Sequence, residues 1–471
     1  MARQITLGGK CDVNDDGSVQ TIPVHFAGEG DGEAPLTWAQ ADHWRVILDT
    51  GAAPIIGGAF KMPAGSTVEQ VVELLRFIMS RHQSLRTRLK LAADGQTYQA
   101  CSASGVAELT VVEAGAADPA ELADQLMQTW SGQPFNYEHD WPVRMAVITS
   151  AEVVSHVVTV YLHLAIDAGG IAALMADLAA RDPLTGAASG PVTALQPLDL
   201  ARKQARPSGQ RQSAASLRHL EQVLRSIPGK LFGDPRPGPA SYQKLRYRSP
   251  ATDLAIGRIA AEHNVSPASA LLAAFAVALA RQLRTGTVWT MVLVNNRFRP
   301  GCADSVSQLV QGSPCLIELA GLNLLDALAL TNAGLLNTYK NAYYDGAQRR
   351  ELEQRIGREL GEPVELSCCY NDRGDDRPAS GAEPASDALL ARALTASSWA
   401  EEFEHSLPTV PLFLNIDYSA DAVELVASFD NRYLELTEAV ALAGLIEAAA
   451  VELAISPDAA VLQPERIGSP A

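Results

Sequence analysis

Residues 157–170 read VVTVYLHLAIDAGG, and they join a strand pattern directly to the start of a helix. The β-branched residues at the beginning predict a strand at Val154–His163. Side chains alternate along a strand, so His163 and Leu162 point to opposite faces, with Leu162 directed into a core. The glycines at the end of the stretch predict a turn that opens a helix near Gly170.

The polar residues of this stretch form a candidate catalytic site. His163 lies at the strand end, Asp167 follows four residues later, and the helix opens at Ala168, Gly169 and Gly170. An imidazole beside a helix N-terminus is suited to acid–base chemistry, because free N–H groups there stabilise a developing oxyanion. We expect the backbone N–H groups near Ala168, Gly169 and Gly170 to face the oxyanion that develops in the reaction. A His-x-x-x-Asp spacing also occurs by chance in a long chain, so a structural histidine is the alternative.

Length, composition and charge describe a folded globular chain. Its 471 residues allow two or three domains or one two-lobed unit, and its 47% hydrophobic and 19% charged residues are ordinary for globular proteins. The formal net charge of −17 argues against a nucleic-acid partner. The longest nearly apolar run, Ala270–Ala280, is too short to span a membrane, and the N-terminus lacks the apolar core of a signal peptide. We expect a cytoplasmic protein that does not contact a membrane.

The six cysteines indicate neither a metal site nor a disulfide framework. They are scattered, without Cys-x-x-Cys or the Cys/His spacing of zinc sites. We interpret the adjacent Cys368 and Cys369 as two small apolar residues of a strand, with a reactive pair as the alternative. The Gly28–Gly32 segment is interpreted as a turn, because it lacks the spacing of a dinucleotide-binding loop. We predict no metal and no bound cofactor.

The distribution of patterns along the chain predicts two α/β lobes. We place an N-terminal lobe at 1–182, a Pro-rich connector at 183–242 and a C-terminal lobe at 243–471. The connector carries one short predicted helix at Ser213–Ser226. It also carries a basic run, Arg202–Arg206, which we interpret as a solvated charge run, with a surface for an acidic partner as the alternative.

Apolar spacing predicts the individual elements. A capping box at Ser66–Glu69 begins an amphipathic helix that runs to about His82. A second predicted helix, Ala268–Leu283, is apolar on nearly every face, so we expect it to be buried centrally. The other predicted helices are Thr252–His263, Leu324–Tyr339, Ala347–Leu360 and Thr437–Leu453. The other predicted strands are Leu85–Leu91, Val143–Thr149, Val288–Val294, Leu412–Tyr418 and Val423–Phe429.

Five short segments follow a familiar order and spacing. They are LTWAQADHW at 36–44, RHQSLRTRL at 81–89, LHLAIDA at 162–168, Asn296-Arg297, and VSQLV at 306–310. They resemble the core motifs of nonribosomal peptide synthetase condensation domains. The first three correspond to S-x-A-Q-x-R-(L/M)-(W/Y), R-H-E-x-L-R-T-x-F and H-H-x-x-x-D-G, and the last two to an arginine and an (I/V)-G-x-F-V segment of the second lobe.

The resemblance covers about residues 35–453 and implies a fold. That fold is α/β (α+β), with two chloramphenicol-acetyltransferase-like lobes in a V-shaped pseudo-dimer and a tunnel between them. By the same resemblance His163 is the catalytic histidine and Asp167 orients its loop. Arg297 is then the salt-bridge partner of Asp167 across the lobes.

Three departures from the family motifs matter for the interpretation of the site. Leu162 stands in place of the first histidine, which is largely structural in the family. Ala168 stands in place of the motif glycine and adds a Cβ at a position where a positive φ or a close approach would favour glycine. The neighbouring Gly169 and Gly170 offer another place for that turn. Ser307 replaces the glycine of the later motif, and the His-x-x-x-Asp residues are intact.

The resemblance also implies a function. We expect a free-standing acyltransferase of natural-product biosynthesis that joins a carrier-bound acyl or peptidyl thioester to an amine or an alcohol. Its partner would be an acyl or peptidyl carrier protein acting in trans, whose phosphopantetheine brings the substrate. The acceptor would be a small molecule or a carrier-bound one. Two alternatives stay open: a catalytically silent condensation-like adaptor that recruits another protein, and acyl transfer from coenzyme A.

Overall fold

The computed structural model describes residues 19–51, 53–93, 95–182, 185–374, 384–402 and 410–462. The chain packs into two compact units. The first contains the chain up to Arg211 together with Asn295–Val310 and Asp345–Ala347, and the second contains the remainder. The segment that carries Arg297 therefore belongs to the first unit, although it connects two strands of the second.

The first unit is built on two sheets. Its strands are β1 (Val19–Ala27), β2 (Gly32–Pro35), β3 (Ile55–Lys61), β4 (Thr87–Leu91), β5 (Thr97–Cys101), β6 (Ser104–Glu113), β7 (Val143–Ser150) and β8 (Val153–Leu162). Five of them form one sheet in the order β1-β6-β7-β8-β3, where β6 and β7 are parallel and the other neighbours antiparallel. The strands β2, β5 and β4 form a small antiparallel sheet.

The first helices of the chain lie in the same unit. They are α1 (Trp38–Thr50), α2 (Val68–Arg81), α3 (Pro119–Ser131), α4 (Ala168–Ala179), α5 (Pro197–Ala205) and α6 (Pro207–Ser226), which continues into the second unit. Thr67 caps α2, accepting from the Gln70 N–H at 3.3 Å and donating its own N–H to the Gln70 side chain at 3.0 Å. The predicted capping box at Ser66–Glu69 is thus one residue too early, because the Ser66 hydroxyl donates to the Pro63 carbonyl instead.

Strand β8 is buried on both faces, and the two faces join different cores. Tyr161 belongs to a hydrophobic cluster with Leu75 of α2, whereas Leu162 belongs to a cluster with Trp44 of α1. The side chain of Leu162 is only 4% exposed. The predicted burial of Leu162 in a core is confirmed, and a leucine is the residue type that this apolar environment favours.

The predicted connector is more helical than its prolines indicated. Helix α5 and the first turns of α6 were not predicted, because Pro197 and Pro207 are interpreted as breakers in a sequence pattern. Both prolines are the first residue of a helix, where the missing N–H has no intrahelical partner to lose. The chain passes from the first unit to the second after Arg211, within the predicted connector at 183–242, whereas Asn295–Val310 and Asp345–Ala347 of the predicted C-terminal lobe belong to the first unit.

The second unit contains a seven-stranded sheet. Its strands are β9 (Tyr242–Ser249), β10 (Thr287–Val294), β11 (Gln311–Glu318), β12 (Cys368–Asp372), β13 (Ser398–Glu402), β14 (Leu412–Tyr418) and β15 (Val423–Asp430). Their order is β11-β10-β12-β14-β15-β9-β13, with β12 parallel to both of its neighbours. The helices are α7 (Pro250–His263), α8 (Pro267–Leu283), α9 (Leu324–Asn341), α10 (Gly346–Leu360), α11 (Asp387–Ala393) and α12 (Leu436–Ile455), of which α10 begins in the first unit.

Helix α8 lies at the centre of the core of the second unit. Every residue of Ala270–Ala280 is at most 2% exposed, which confirms the prediction of a central buried helix. Among the described residues, no single helix is long and apolar enough to cross a membrane, and α7 and α8 meet that test only as a pair bent by 115°.

The cysteines of the described residues are all free and buried. Cys368 and Cys369 both lie in β12, as the strand interpretation predicted. Burial raises the pKa of the Cys369 thiol to about 12 and also raises that of Cys368, so both stay protonated and unreactive at neutral pH. Cys11 lies outside the described residues.

Candidate functional site

The candidate site lies where β8 ends and α4 begins. The strand ends at Leu162, and His163 follows in a turn, its backbone N–H donating to the Pro54 carbonyl at 2.9 Å. The His163 side chain is half-buried. Its Nδ1 is buried and has no hydrogen-bond partner within the described ranges. Packing, rather than a hydrogen bond at this nitrogen, therefore holds the ring.

Asp167 connects the turn to a distant segment of the chain. It is 1% exposed and caps α4, accepting from the Gly170 N–H at 2.7 Å. Its Oδ2 also accepts from the backbone N–H groups of Leu309 and Val310, at 2.8 and 3.2 Å. The carboxylate thus fixes the helix start and the 295–310 segment at the same time.

The predicted ion pair between Asp167 and Arg297 is present. The two guanidinium nitrogens lie 2.7 and 3.1 Å from the two carboxylate oxygens. Arg297 also donates to the carbonyls of Ser305 and Ser307, at 3.0 and 3.2 Å, and so closes its own loop. Both partners belong to the first unit, although Asp167 falls in the predicted N-terminal lobe and Arg297 in the predicted C-terminal lobe.

Two glycines give Arg297 the room to reach Asp167. A Cβ on Gly169 would lie 2.6 Å from the Arg297 Nε, and a Cβ on Gly170 would lie 3.2 Å from the Arg297 Nη2 and 2.7 Å from the Ile166 side chain. Ala168, by contrast, is exposed and has no positive φ. The motif departure at Ala168 therefore costs the turn nothing in space or backbone strain.

One of the three predicted oxyanion donors is already engaged by the helix cap. The N–H of Gly170 is already donated to the Asp167 carboxylate as the helix cap, so it is not available to an oxyanion. The cap uses the third N–H of the helix, as side-chain caps usually do. Ala168 and Gly169 are the remaining predicted N–H donors.

The sequence prediction missed a second imidazole beside the first. The ring of His43 in α1 packs on that of His163, with centroids 4.9 Å apart and planes inclined by 39°. The Gln308 amide nitrogen lies 2.7 and 2.8 Å from its two ring nitrogens. Burial, with His163 as a lesser cause, lowers the pKa of His43 to about 3. The signal for it was the histidine within LTWAQADHW, at a position where the motif has leucine or methionine.

Comparison with known families decides the classification. The family model of the condensation domain matches residues 32–348. The chain belongs to the condensation domain family. The AMB antimetabolite synthetase AmbB of Pseudomonas aeruginosa is 26% identical to this condensation domain over 260 residues. That match covers 54% of this chain and 21% of AmbB, so the chain spans about a fifth of the length of this relative.

Solved structures share the fold of this condensation domain. The first condensation domain of the calcium-dependent antibiotic synthetase is similar with a TM-score of 0.67 and 16% identity, over 91% of this chain and 98% of that one. The X-domain from teicoplanin biosynthesis is similar with a TM-score of 0.66 and 18% identity, over 93% and 98%. These likenesses confirm the predicted acetyltransferase-like α/β fold.

The second motif of this condensation domain is structural. Arg86 is fully buried and donates to the carbonyls of Gly30 and Ser102, at 2.6 and 2.5 Å. Arg81 forms a two-pronged ion pair with Asp177 of α4, at 2.5 and 2.9 Å. These arginines brace the turn and the helix that surround the site rather than entering it.

The basic run lies on the surface of α5. Arg202 pairs with Asp199 at 3.1 Å with both side chains more than half exposed. Lys203 donates to the Pro300 carbonyl at 2.9 Å, and Arg206 is exposed. Among the described residues, no group of three or more His, Cys, Asp or Glu side chains is arranged to hold a metal ion.

Proposed function

We propose that this condensation domain transfers an acyl or peptidyl group from a carrier-protein thioester to an amine or an alcohol. The observation that carries the proposal is the half-buried His163 imidazole, held at a strand end by the Asp167 turn. The same motif residues, His163 and Asp167, support it through membership of the family. The donor would be presented in trans, in natural-product biosynthesis.

The proposed reaction needs one proton acceptor at the nucleophile. The lone pair of the amine or alcohol attacks the thioester carbonyl carbon, and His163 accepts the proton that the nucleophile loses. The oxyanion of the tetrahedral intermediate receives hydrogen bonds from the N–H groups of Ala168 and Gly169. The C–S bond then breaks, and the proton on His163 passes to the departing thiolate. The products are an amide or an ester and a free thiol.

Phosphopantetheine would bring the substrate on the partner protein. A thioester is already activated toward nucleophiles, so the proposed step needs no metal and no cofactor resident in this chain. The acceptor is a small molecule or a second carrier-bound group. The exposed basic run on α5 supports a surface that meets an acidic carrier.

A silent adaptor is the second candidate function. It is favoured by the replacement of the first motif histidine by Leu162, whose environment is apolar, and by likeness in fold to an X-domain solved in complex with OxyB. The intact Asp167–Arg297 pair and the half-buried His163 favour the enzyme instead.

The deciding experiment is an intact-mass assay of acyl-loaded carriers mixed with this protein and with candidate amines and alcohols. We expect loss of the acyl group from the carrier and a rate that saturates with carrier. His163→Ala should lower turnover by about 10²-fold or more, because an acid–base group is lost. His156→Ala is the matched control, since His156 lies on β8, seven residues before His163, and its Nδ1 lies 3.2 Å from the Ser155 hydroxyl rather than in the candidate site. Carriers that bind but never lose their acyl group would establish the adaptor.

A further inference from the structure

Within the described residues, the Nδ1 atom of His163 lacks the partner that usually orients a catalytic histidine. In acyl-transfer sites a carboxylate or a carbonyl generally accepts a hydrogen bond from Nδ1–H and fixes the ring. Here Nδ1 is buried and unpartnered in the described part of the chain. The carboxylate of Asp167 is already engaged by Gly170, Leu309, Val310 and Arg297. Another group must fix the His163 ring.

The ring of His43 is in contact with the ring of His163. A centroid distance of 4.9 Å lies within the 4.5–7 Å range in which aromatic pairs attract each other. His43 is itself held, because its Nδ1 lies 3.3 Å from the Ala39 carbonyl and its ring nitrogens lie within hydrogen-bond distance of Gln308. Gln308 immediately precedes Leu309, which is bound to Asp167. One segment of chain therefore anchors both the His163 turn and the ring beside it.

The charge state of His43 suits a supporting ring rather than a second base. Its pKa of about 3, set first by burial and then by His163, leaves it neutral at physiological pH. A neutral His43 adds no charge repulsion when His163 takes a proton. The motif pattern has leucine or methionine at this position, so the contact is a property of this chain.

We propose that His43 is a positioning residue that holds the ring of His163 in its reactive orientation, and that Gln308 holds His43 in turn. This inference rests on the proposed function of His163. If the inference is correct, the flat shape of the side chain at position 43 matters for activity and its basicity does not. A misplaced catalytic ring lowers the rate of the chemical step more than it weakens substrate binding.

The test compares His43→Ala, His43→Phe and Gln308→Leu with the wild-type protein. Leu48→Ala is the matched control, because Leu48 lies on the same helix and is 58% exposed. We expect His43→Ala to lower kcat by roughly 10- to 100-fold with little change in KM, Gln308→Leu to lower it less, and His43→Phe to recover most of the loss. The control should behave as the wild type.

A second measurement reports on the ring itself. In protein labelled with ¹³C at the histidine ring, relaxation of the His163 signal should show a more mobile ring in His43→Ala than in the wild type or in His43→Phe. His43→Leu, which fills the space without a flat ring, replaces the alanine variant if that variant does not fold. A His163 ring as rigid in His43→Ala as in the wild type overturns the inference, as does a kcat loss no larger than that of Leu48→Ala. A wild-type protein without transferase activity overturns the proposed function instead, while the relaxation comparison still decides the role of His43.

Discussion

The carboxylate of Asp167 is the residue on which the candidate site depends most. It is 1% exposed and binds a guanidinium, a helix N-terminus and two amides of a distant segment. Removing one member of a buried pair leaves the other as an uncompensated charge, which generally costs more than the pair contributes. If Asp167 is lost, Arg297 becomes such an uncompensated charge. The backbone N–H groups of Leu309 and Val310 then lose their acceptor as well.

We therefore predict that Asp167→Ala and Arg297→Ala each lower the free energy of unfolding by roughly 3–5 kcal/mol. The double variant should lose less than the sum, because the two residues contact each other directly. Urea unfolding of the four proteins measures these losses. Strictly additive losses would show that the two side chains do not stabilise each other.

At the N-terminus of α4, one residue packs closely against the Arg297 side chain and its neighbour is open to solvent. Gly169 faces the Arg297 side chain without room for a methyl group, while the exposed Ala168 beside it has room for one. We predict that Gly169→Ala costs about 1–3 kcal/mol, since the added Cβ must displace a guanidinium that three acceptors hold. Ala168→Gly, which restores the family motif, should cost less than about 1 kcal/mol. Thermal unfolding of both variants checks this order, and a reversed order would contradict the close contact at Gly169.

Elements with strong local signals were predicted well from sequence. The strand Leu412–Tyr418 was predicted with the bounds that the structure has, because its apolar residues alternate along LFLNIDY. The prediction of α8 differs by one residue, because its long apolar run leaves few alternatives. The strand β3 was missed, since the glycines in its IIGGAFK sequence weaken a strand pattern. The contact of His43 with His163 was missed for another reason. It joins residues on different elements far apart in the chain, and no local pattern reports such a contact.

At the scale of the whole molecule, the distribution of charge bears on how the proposed carrier would approach. The net charge of −17 is spread over the chain, whereas the basic run on α5 is local. At about 0.1 M salt the screening length is about 10 Å, so distant charges are already screened and mainly contacting pairs respond to further salt.

We predict that raising NaCl from about 0.1 M to about 0.5 M increases the KM for the loaded carrier severalfold and leaves kcat nearly unchanged. An N-acetylcysteamine thioester of the same acyl group is the control, because it presents no protein surface. Its KM should not respond to salt. An equal response of both donors, or of neither, would show that the carrier does not dock through charged groups.

The inclusion of residues 295–310 in the first unit determines an order of events while the chain is being made. Asp167 leaves the ribosome 130 residues before Arg297, an interval on the order of 10 s at typical rates of synthesis. During that time the turn that carries His163 lacks its guanidinium and the amides of Leu309 and Val310. A nascent chain stalled before residue 295 would therefore present an unfinished turn to chaperones and proteases, and one that has passed residue 310 would be able to complete it.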